Sequence, residues 1–321
     1  MFKYFLKRLL VLIPKLLLIS AAVFFAMELM PGDAVTRSID PELLATLQPE
    51  QIEALKEAKG LNNPAYIRYF SWLAGIFQGD FGYSLTSGTS IAKLIAVRLP
   101  ATLELAVFGL LISTVFGILL GFVTAIHKNT PLDYSCTVLG MVGISIPEFF
   151  FGMLFILLFA IQLQWLPTGG RFDLQDPTFW GHMKHMLLPS VSLAITLIAT
   201  LMRYTRSCML DVMGKDYIKT ARAKGLRENT VYIRHCFRNG CAPVMILLIG
   251  RLSMLIAGTT IIETIYNYPG MGSMFLGAVS SSDTPVAMMV LLLTSATTLV
   301  CTFLADIVIA VLDPRIRFGE E

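Results

Sequence analysis

Glu28, Glu104, Glu148, Arg251, Glu263 and Asp306 stand within or at the ends of long apolar runs. Carboxylates gathered at mid-depth in a membrane could relay protons or hold a cation. These fall toward the ends of the runs instead, where interfacial or helix-terminal charge is ordinary. Cys136, Cys208, Cys236, Cys241 and Cys301 show no CxxC spacing and have no histidine at metal-ligand distance in sequence, so they read as reduced, structural thiols. There is no G-x-x-x-x-G-K-[ST] phosphate loop, no HExxH and no G-x-S-x-G. The expectation is a chain with no catalytic residues, no metal site and no cofactor of its own.

The elements that carry these residues are apolar. Of 321 residues, 55% are hydrophobic and 15% charged, and the mean hydropathy is +0.69. That composition points to a polytopic membrane protein, and apolar runs of this length to an all-α integral one. A basic head at Lys3, Lys7 and Arg8 precedes an apolar run, Leu9 to Met30, that is long enough to span and has no A-x-A cleavage site. It reads as the first of six transmembrane helices. Pro14 bends it, and Lys15 reaches back to the headgroups.

A large outer segment follows, with a helix over Pro49–Lys59 stopped by Gly60 and Pro64. Further spans are expected at Thr102–Ile126, from Pro147 onward after a short inner helix ending at Ile144, and at Met186–Met202, Ala242–Thr264 and Val286–Leu312. Trp165–Gly170 marks the outer surface. The N-terminal cations, Lys128, the nine cations within 203–240, and Arg315 with Arg317 all fall on one side. The positive-inside rule then puts both termini in the cytoplasm. The divisions are 1–30 (tail and first span), 31–100 (outer segment) and 101–321 (core).

The most polar stretch is 203–240. It carries Arg203, Arg206, Lys215, Lys219, Arg222, Lys224, Arg227, Arg234 and Arg238 against Asp211, Asp216 and Glu228. Gly225 suits a left-handed helix end, with Lys219, Arg222 and Lys224 in the last turns, where cations match the dipole. Two helical pieces flanking Gly225 make a helix–turn–helix knuckle between the fourth and fifth spans. A basic helix–turn–helix can bind nucleic acid, but one tied between membrane spans is poorly placed to enter a groove, so no nucleic-acid partner is expected.

The order Tyr217-Ile218-Lys219-Thr220-Ala221-Arg222-Ala223-Lys224-Gly225-Leu226, then Ile233-Arg234-His235 and Arg238-Asn239, resembles the coupling loop of ABC transporter permeases of the dipeptide, oligopeptide and nickel branch. Lys219, Thr220 and Ala221 occupy the EAA places of the wider consensus, which is kept only at Ala221 and Gly225. His235, Phe237 and Arg238 stand where I, L and P would. The outer segment carries the same likeness in Gly79-Asp80-Phe81-Gly82 with Ser84 and in Arg98-Leu99-Pro100-Ala101-Thr102. So do Pro269-Gly270-x-Gly272 and Asp313-Pro314-Arg315-Ile316-Arg317. Thr302 replaces the asparagine that the branch often places four residues before Asp306.

The resemblance implies a permease subunit of an ATP-driven importer for peptides or related small solutes. It implies a second homologous permease, two ATPase subunits that hold ATP and Mg, and an outer solute-binding protein. Asp216, Tyr217, Ala221, Arg222, Ala223 and Gly225 are then the ATPase-coupling residues. Glu263, Tyr268, Pro269, Gly270 and Gly272 would receive the binding protein, and Glu148 and Arg251 are candidates for the pathway. Two alternatives belong to other classes. An ion-coupled secondary transporter would need mid-membrane carboxylates or paired broken helices. A membrane enzyme would need a convergent catalytic set.

Overall fold

The computed structural model describes residues 2–29, 48–58, 62–172 and 177–312. The expected Gly60 stop and the Asp313–Arg317 motif lie outside them. The described residues are mostly helical, and no strand is found among them beyond the isolated bridge Tyr83–Ser90. Four helices are long and apolar enough to cross a membrane, and a bent pair makes a fifth candidate.

The chain divides into two units, Met1–Thr102 with Pro269–Leu299, and Leu103–Tyr268 with Val300–Glu321. Residues 269–299 thus group with the N-terminal part of the chain.

The first unit contains α1 (Phe2–Glu28), α2 (Pro49–Ala58), α3 (Ala65–Phe77), the start of α4 (Ile91–Ile126) and α11 (Met271–Ser280). It also holds most of α12 (Thr284–Leu312). Ile91 and Ile95, one helical turn apart, pack with Met271, Met274, Val286, Met289 and Val290. A smaller cluster joins Val23 and Phe24 of α1 to Tyr69 and Met288. The Tyr69 and Ser20 hydroxyls hydrogen-bond at 2.9 Å inside it. Asp283 is 3% exposed and gathers the loop before α4. It accepts from the Ser84 hydroxyl, the Leu85 amide (3.1 Å) and the Thr86 hydroxyl (3.0 Å).

The expected second span began at Thr102, but α4 begins at Ile91. The apolar stripe Ile91, Ile95, Leu99 carries the helix through Pro100, whose ring disturbs only its own turn. At 36 residues, α4 is about 54 Å long, well beyond the ~30 Å hydrocarbon core.

The second unit is built on α7 (Phe179–Met213). Also in it are α5 (Pro131–Ser145), and α6 (Glu148–Phe155) running on as a π-helix, Ile156–Gln162. The knuckle is followed by α10 (Arg238–Ile265). Ile146, before Pro147, is extended (ψ 129°), as a residue preceding proline prefers, and α5 and α6 meet at 101°. The break is where the sequence placed it. The expected fourth span, Met186–Met202, is only the middle of α7, which continues into the knuckle's polar stretch as far as Met213.

Helices approach α7 through glycines. A Cβ on Gly121 of α4 would lie 2.6 Å from both the Met202 carbonyl oxygen and the Thr205 Cβ. On Gly117 it would meet the Leu201 Cβ at 2.6 Å, and on Gly140 of α5 the Met202 Cε at 2.5 Å. Gly121 faces backbone, which cannot step aside. Gly121→Ala should therefore destabilise the detergent-solubilised protein by about 1–3 kcal/mol. Gly277→Ala in α11, with no neighbouring atom within 4 Å, should be neutral or stabilising. Thermal melts of the two variants beside the parent check this, and equal melting temperatures would contradict it.

Candidate functional site

The knuckle starts where α7 ends. Gly214 caps α7, and α8 (Asp216–Ala223) runs to the turn Lys224-Gly225-Leu226. Gly225 has φ +76°. Its N–H bonds the Arg222 carbonyl (2.9 Å), and the Leu226 N–H reaches back to the Ala221 carbonyl (3.4 Å). This crossed pair of bonds with a left-handed glycine is a Schellman helix end. The return limb is a short helical turn, α9 (Glu228–Thr230), which widens into a π-helix, Val231–Phe237, before entering α10. Sequence reasoning placed the two limbs and the glycine but not the wide turn, which has no composition signal.

The knuckle has two faces. The inner one buries Ile218, Ala221, Val231 and Cys236 against Ala125 at the end of α4 and Met209 of α7. The outer one exposes Asp216, Tyr217, Lys219, Arg222, Ala223 and Gly225. Among the expected coupling residues, Ala221 is thus 8% exposed and faces its own chain. The Gly225 position opens onto space, and a side chain there would meet no atom within 4 Å. Gly225 is needed for its backbone angle and not for want of room.

Charge braces the turn. Arg222 donates to both Glu228 oxygens (2.9 and 3.3 Å), and its guanidinium lies 5.9 Å from the Tyr232 ring centroid. The Arg222 guanidinium holds the Glu228 carboxyl below the usual carboxylate range. Both side chains are open to water, so the pair orients more than it stabilises.

The base of the knuckle is fixed by a pair the sequence reading missed. Asp133 is 2% exposed. It accepts from Arg206 Nε (2.7 Å) and Nη2 (2.8 Å) and from the Asn129 amide (3.0 Å). The available signal was Thr130-Pro131-x-Asp133, a capping residue, a proline suited to the first turn and an acid. The partner, 73 positions away, had no local signal.

A second polar cluster surrounds Glu104. Arg171 donates to Glu104 Oε2 through Nη2 (2.7 Å) and Nε (3.1 Å), and His182 meets the other oxygen. From Glu104 to Ile126 the helix rises about 33 Å, close to the hydrocarbon thickness. Beside this cluster the Gly170 amide bonds the Tyr266 carbonyl (2.8 Å), and the Tyr266 hydroxyl meets Ser192 (2.9 Å) and the Gly152 carbonyl (3.0 Å). These bonds tie the Trp165–Gly170 turn to α6, α7 and the end of α10.

Among the residues expected to meet a binding protein, Glu263, Tyr268, Gly270 and Gly272 are buried, and Pro269 is half-buried. Glu148 is half-buried in the first turn of α6, and Arg251 half-buried within α10.

Residues 117–318 match the family described as binding-protein-dependent transport system inner membrane component. Residues 1–106 match the family described as the N-terminal part of such membrane components. The chain is 37% identical to the oligopeptide transport system permease protein AppB of Bacillus subtilis (strain 168), over 98% of this chain and 99% of that one. It is 34% identical to the glutathione transport system permease protein GsiC of Escherichia coli (strain K12), over 99% and 100%. Among solved structures, a chain of the inward-facing MetNI methionine ABC transporter superposes with a TM-score of 0.57 at 14% identity. The match covers 68% of this chain and 96% of that chain, a likeness of fold.

Removing the guanidinium from this Asp133–Arg206 pair leaves a carboxylate that is 2% exposed uncompensated. Arg206→Met should therefore lower stability by about 3 kcal/mol. Asp133→Ala with Arg206→Met should be milder than the two single losses summed. A double-mutant cycle on thermal unfolding reads the coupling, and strict additivity would contradict it.

Proposed function

The chain belongs to the binding-protein-dependent transport system inner membrane components, the permeases of ABC importers, and we propose that its knuckle 203–240 takes up the motion of partner ATPases. It is a multi-pass permease subunit of the cell membrane. The observation that carries the proposal is the knuckle's division into a polar exposed face and an apolar face packed on α4 and α7. A surface that must pass force into a bundle needs both.

In this reading α10 joins the helices already identified to make six spans, with both termini and the knuckle in the cytoplasm. Two ATPase subunits that bind ATP and Mg grip Asp216, Tyr217, Arg222 and Ala223, while Ala221 and Gly225 keep α8 seated and its end turned. When the ATPases close, α8 moves as one piece with the ends of α4 and α7. The bundle, paired with a second permease, then switches between inward- and outward-open states. No chemical step belongs to this chain. The cargo is a peptide or related small solute, by analogy with relatives named for oligopeptides and glutathione. An outer binding protein delivers it to a surface whose shape the buried residues of 263–272 maintain. Glu148 and Arg251 remain candidates to line the path.

An ion-coupled secondary transporter would use discontinuous helices in paired positions. One broken pair, at Pro147, is found among the described residues. The Glu104 carboxylate is engaged by Arg171 and His182 and is not standing alone.

The test is co-purification from cells that express the chain with its neighbouring genes. Ala223→Trp, on the exposed face, should leave the chain folded and reduce recovered ATPase roughly tenfold, the equivalent of ~1.4 kcal/mol of binding. Ala221→Trp should instead destabilise the chain itself, because its Cβ is buried in the inner cluster. Full recovery of ATPase with Ala223→Trp, or transport by the chain alone in vesicles without ATP, would overturn the reading.

A further inference from the structure

An apolar groove of about 310 Å³ lies between α4 and the π-helix of the knuckle. It is lined by Thr114, Val115, Ile118, Leu119, Phe122, Ile233 and Phe237. Phe122 and Phe237 meet edge to face beside it, with centroids 5.3 Å apart and planes at 84°. The lining has one hydroxyl, that of Thr114, which already donates to the Leu110 carbonyl at 2.6 Å. The groove therefore has no free donor and a wall that is otherwise apolar, which suits hydrocarbon. From Thr114 to Phe122 it follows α4 for about 12 Å, within a helix that crosses the membrane. Its volume is small beside a helix ~10 Å wide and suits a slender chain.

Two exposed cations adjoin the lining residues of the knuckle wall in sequence. Arg234 follows the lining residue Ile233, and Arg238 follows Phe237. Both are exposed, and neither makes a hydrogen bond or ion pair among the described residues. Of the acids on the two limbs of the knuckle, Glu228 is held by Arg222 and Asp216 by Lys219. The π-helix sets the arrangement: such wide turns are rare and recur at functional sites, and here its residues form one wall of the groove.

We propose that this groove is a specific site for an anionic phospholipid, with one acyl chain along Val115, Leu119 and Ile233 and the phosphate against Arg234 and Arg238. A basic cluster beside an apolar cleft at the membrane surface is the recognition chemistry of anionic headgroups. The inference uses only the membrane setting of α4, so it stands or falls separately from ATPase coupling.

Native mass spectrometry of the full chain tests it. The chain, with the subunits that co-purify with it, is released from nanodiscs of phosphatidylcholine containing a minority of phosphatidylglycerol. The parent should keep one phosphatidylglycerol. Ile233→Trp, at a position 62% exposed and so tolerant of bulk, should fill the groove and lower retention roughly tenfold. Val115→Trp, 59% exposed on the opposite wall, should do the same if the first variant folds poorly. Arg234→Gln with Arg238→Gln should abolish the preference for phosphatidylglycerol over phosphatidylcholine. Equal retention of the two lipids by the parent would overturn the proposal. So would undiminished retention in both tryptophan variants, or a disulfide from Ile233→Cys to a second permease chain, which would show the groove covered by protein.

Discussion

Two apolar helices meeting in a bilayer have no water to expel, so contact must come from close packing, and close packing needs small residues. In this chain that requirement falls on α7. Gly117 and Gly121 bring α4 against its carbonyls, and Gly140 and Gly143 bring α5 against Met202, Ala199 and Ile195. Everything else described in the second unit hangs from that helix. Its N-terminal end receives the turn that Arg171, Glu104 and His182 hold, and its middle gives Ser192 to Tyr266. Its C-terminal end supplies Arg206 to Asp133 and Met209 to the floor of the knuckle. Few of these contacts are near in sequence, which is why one tightly packed helix has to hold them in register.

The knuckle's design follows from being anchored at both ends of its own hairpin. One limb continues α7 past Gly214 and Lys215, and the other passes without interruption into α10. The apolar side of α8 uses its two inward positions, Ile218 and Ala221, to lie on the ends of α4 and α7. The Arg206–Asp133 pair bolts the same region to the start of α5. A push on the exposed face, as proposed, would be divided among α4, α5 and α7.

Much of this was readable from residue order. The break before Pro147 and the left-handed glycine at 225 depend on backbone rules that hold whatever surrounds them. The basic stretch and the apolar runs are compositional. The extension of α4 back to Ile91 was hidden because proline is a stop signal locally, while the stripe that overrides it is completed by residues from 269–299. Ala221 illustrates a different limit. Its place in the motif was legible, but whether it served a partner or the chain's own interior depended on Val231 and Met209 lying opposite. Glu104 looked like an ordinary terminal charge, and Asp133 went unremarked, because their guanidinium partners come from distant elements.

The wide turn at Val231–Phe237 bears on how this protein can change length. In α10, losing one residue would rotate everything beyond it by about 100° and swing side chains from neighbours to lipid. A π-helix already contains more chain per turn than its α-helical surroundings. One residue can leave it by letting the turn relax to the narrower form, with the flanking faces kept in place. The return limb of the knuckle is therefore the one stretch of this connection with slack in its register, while the path through α8 and Gly225 has none.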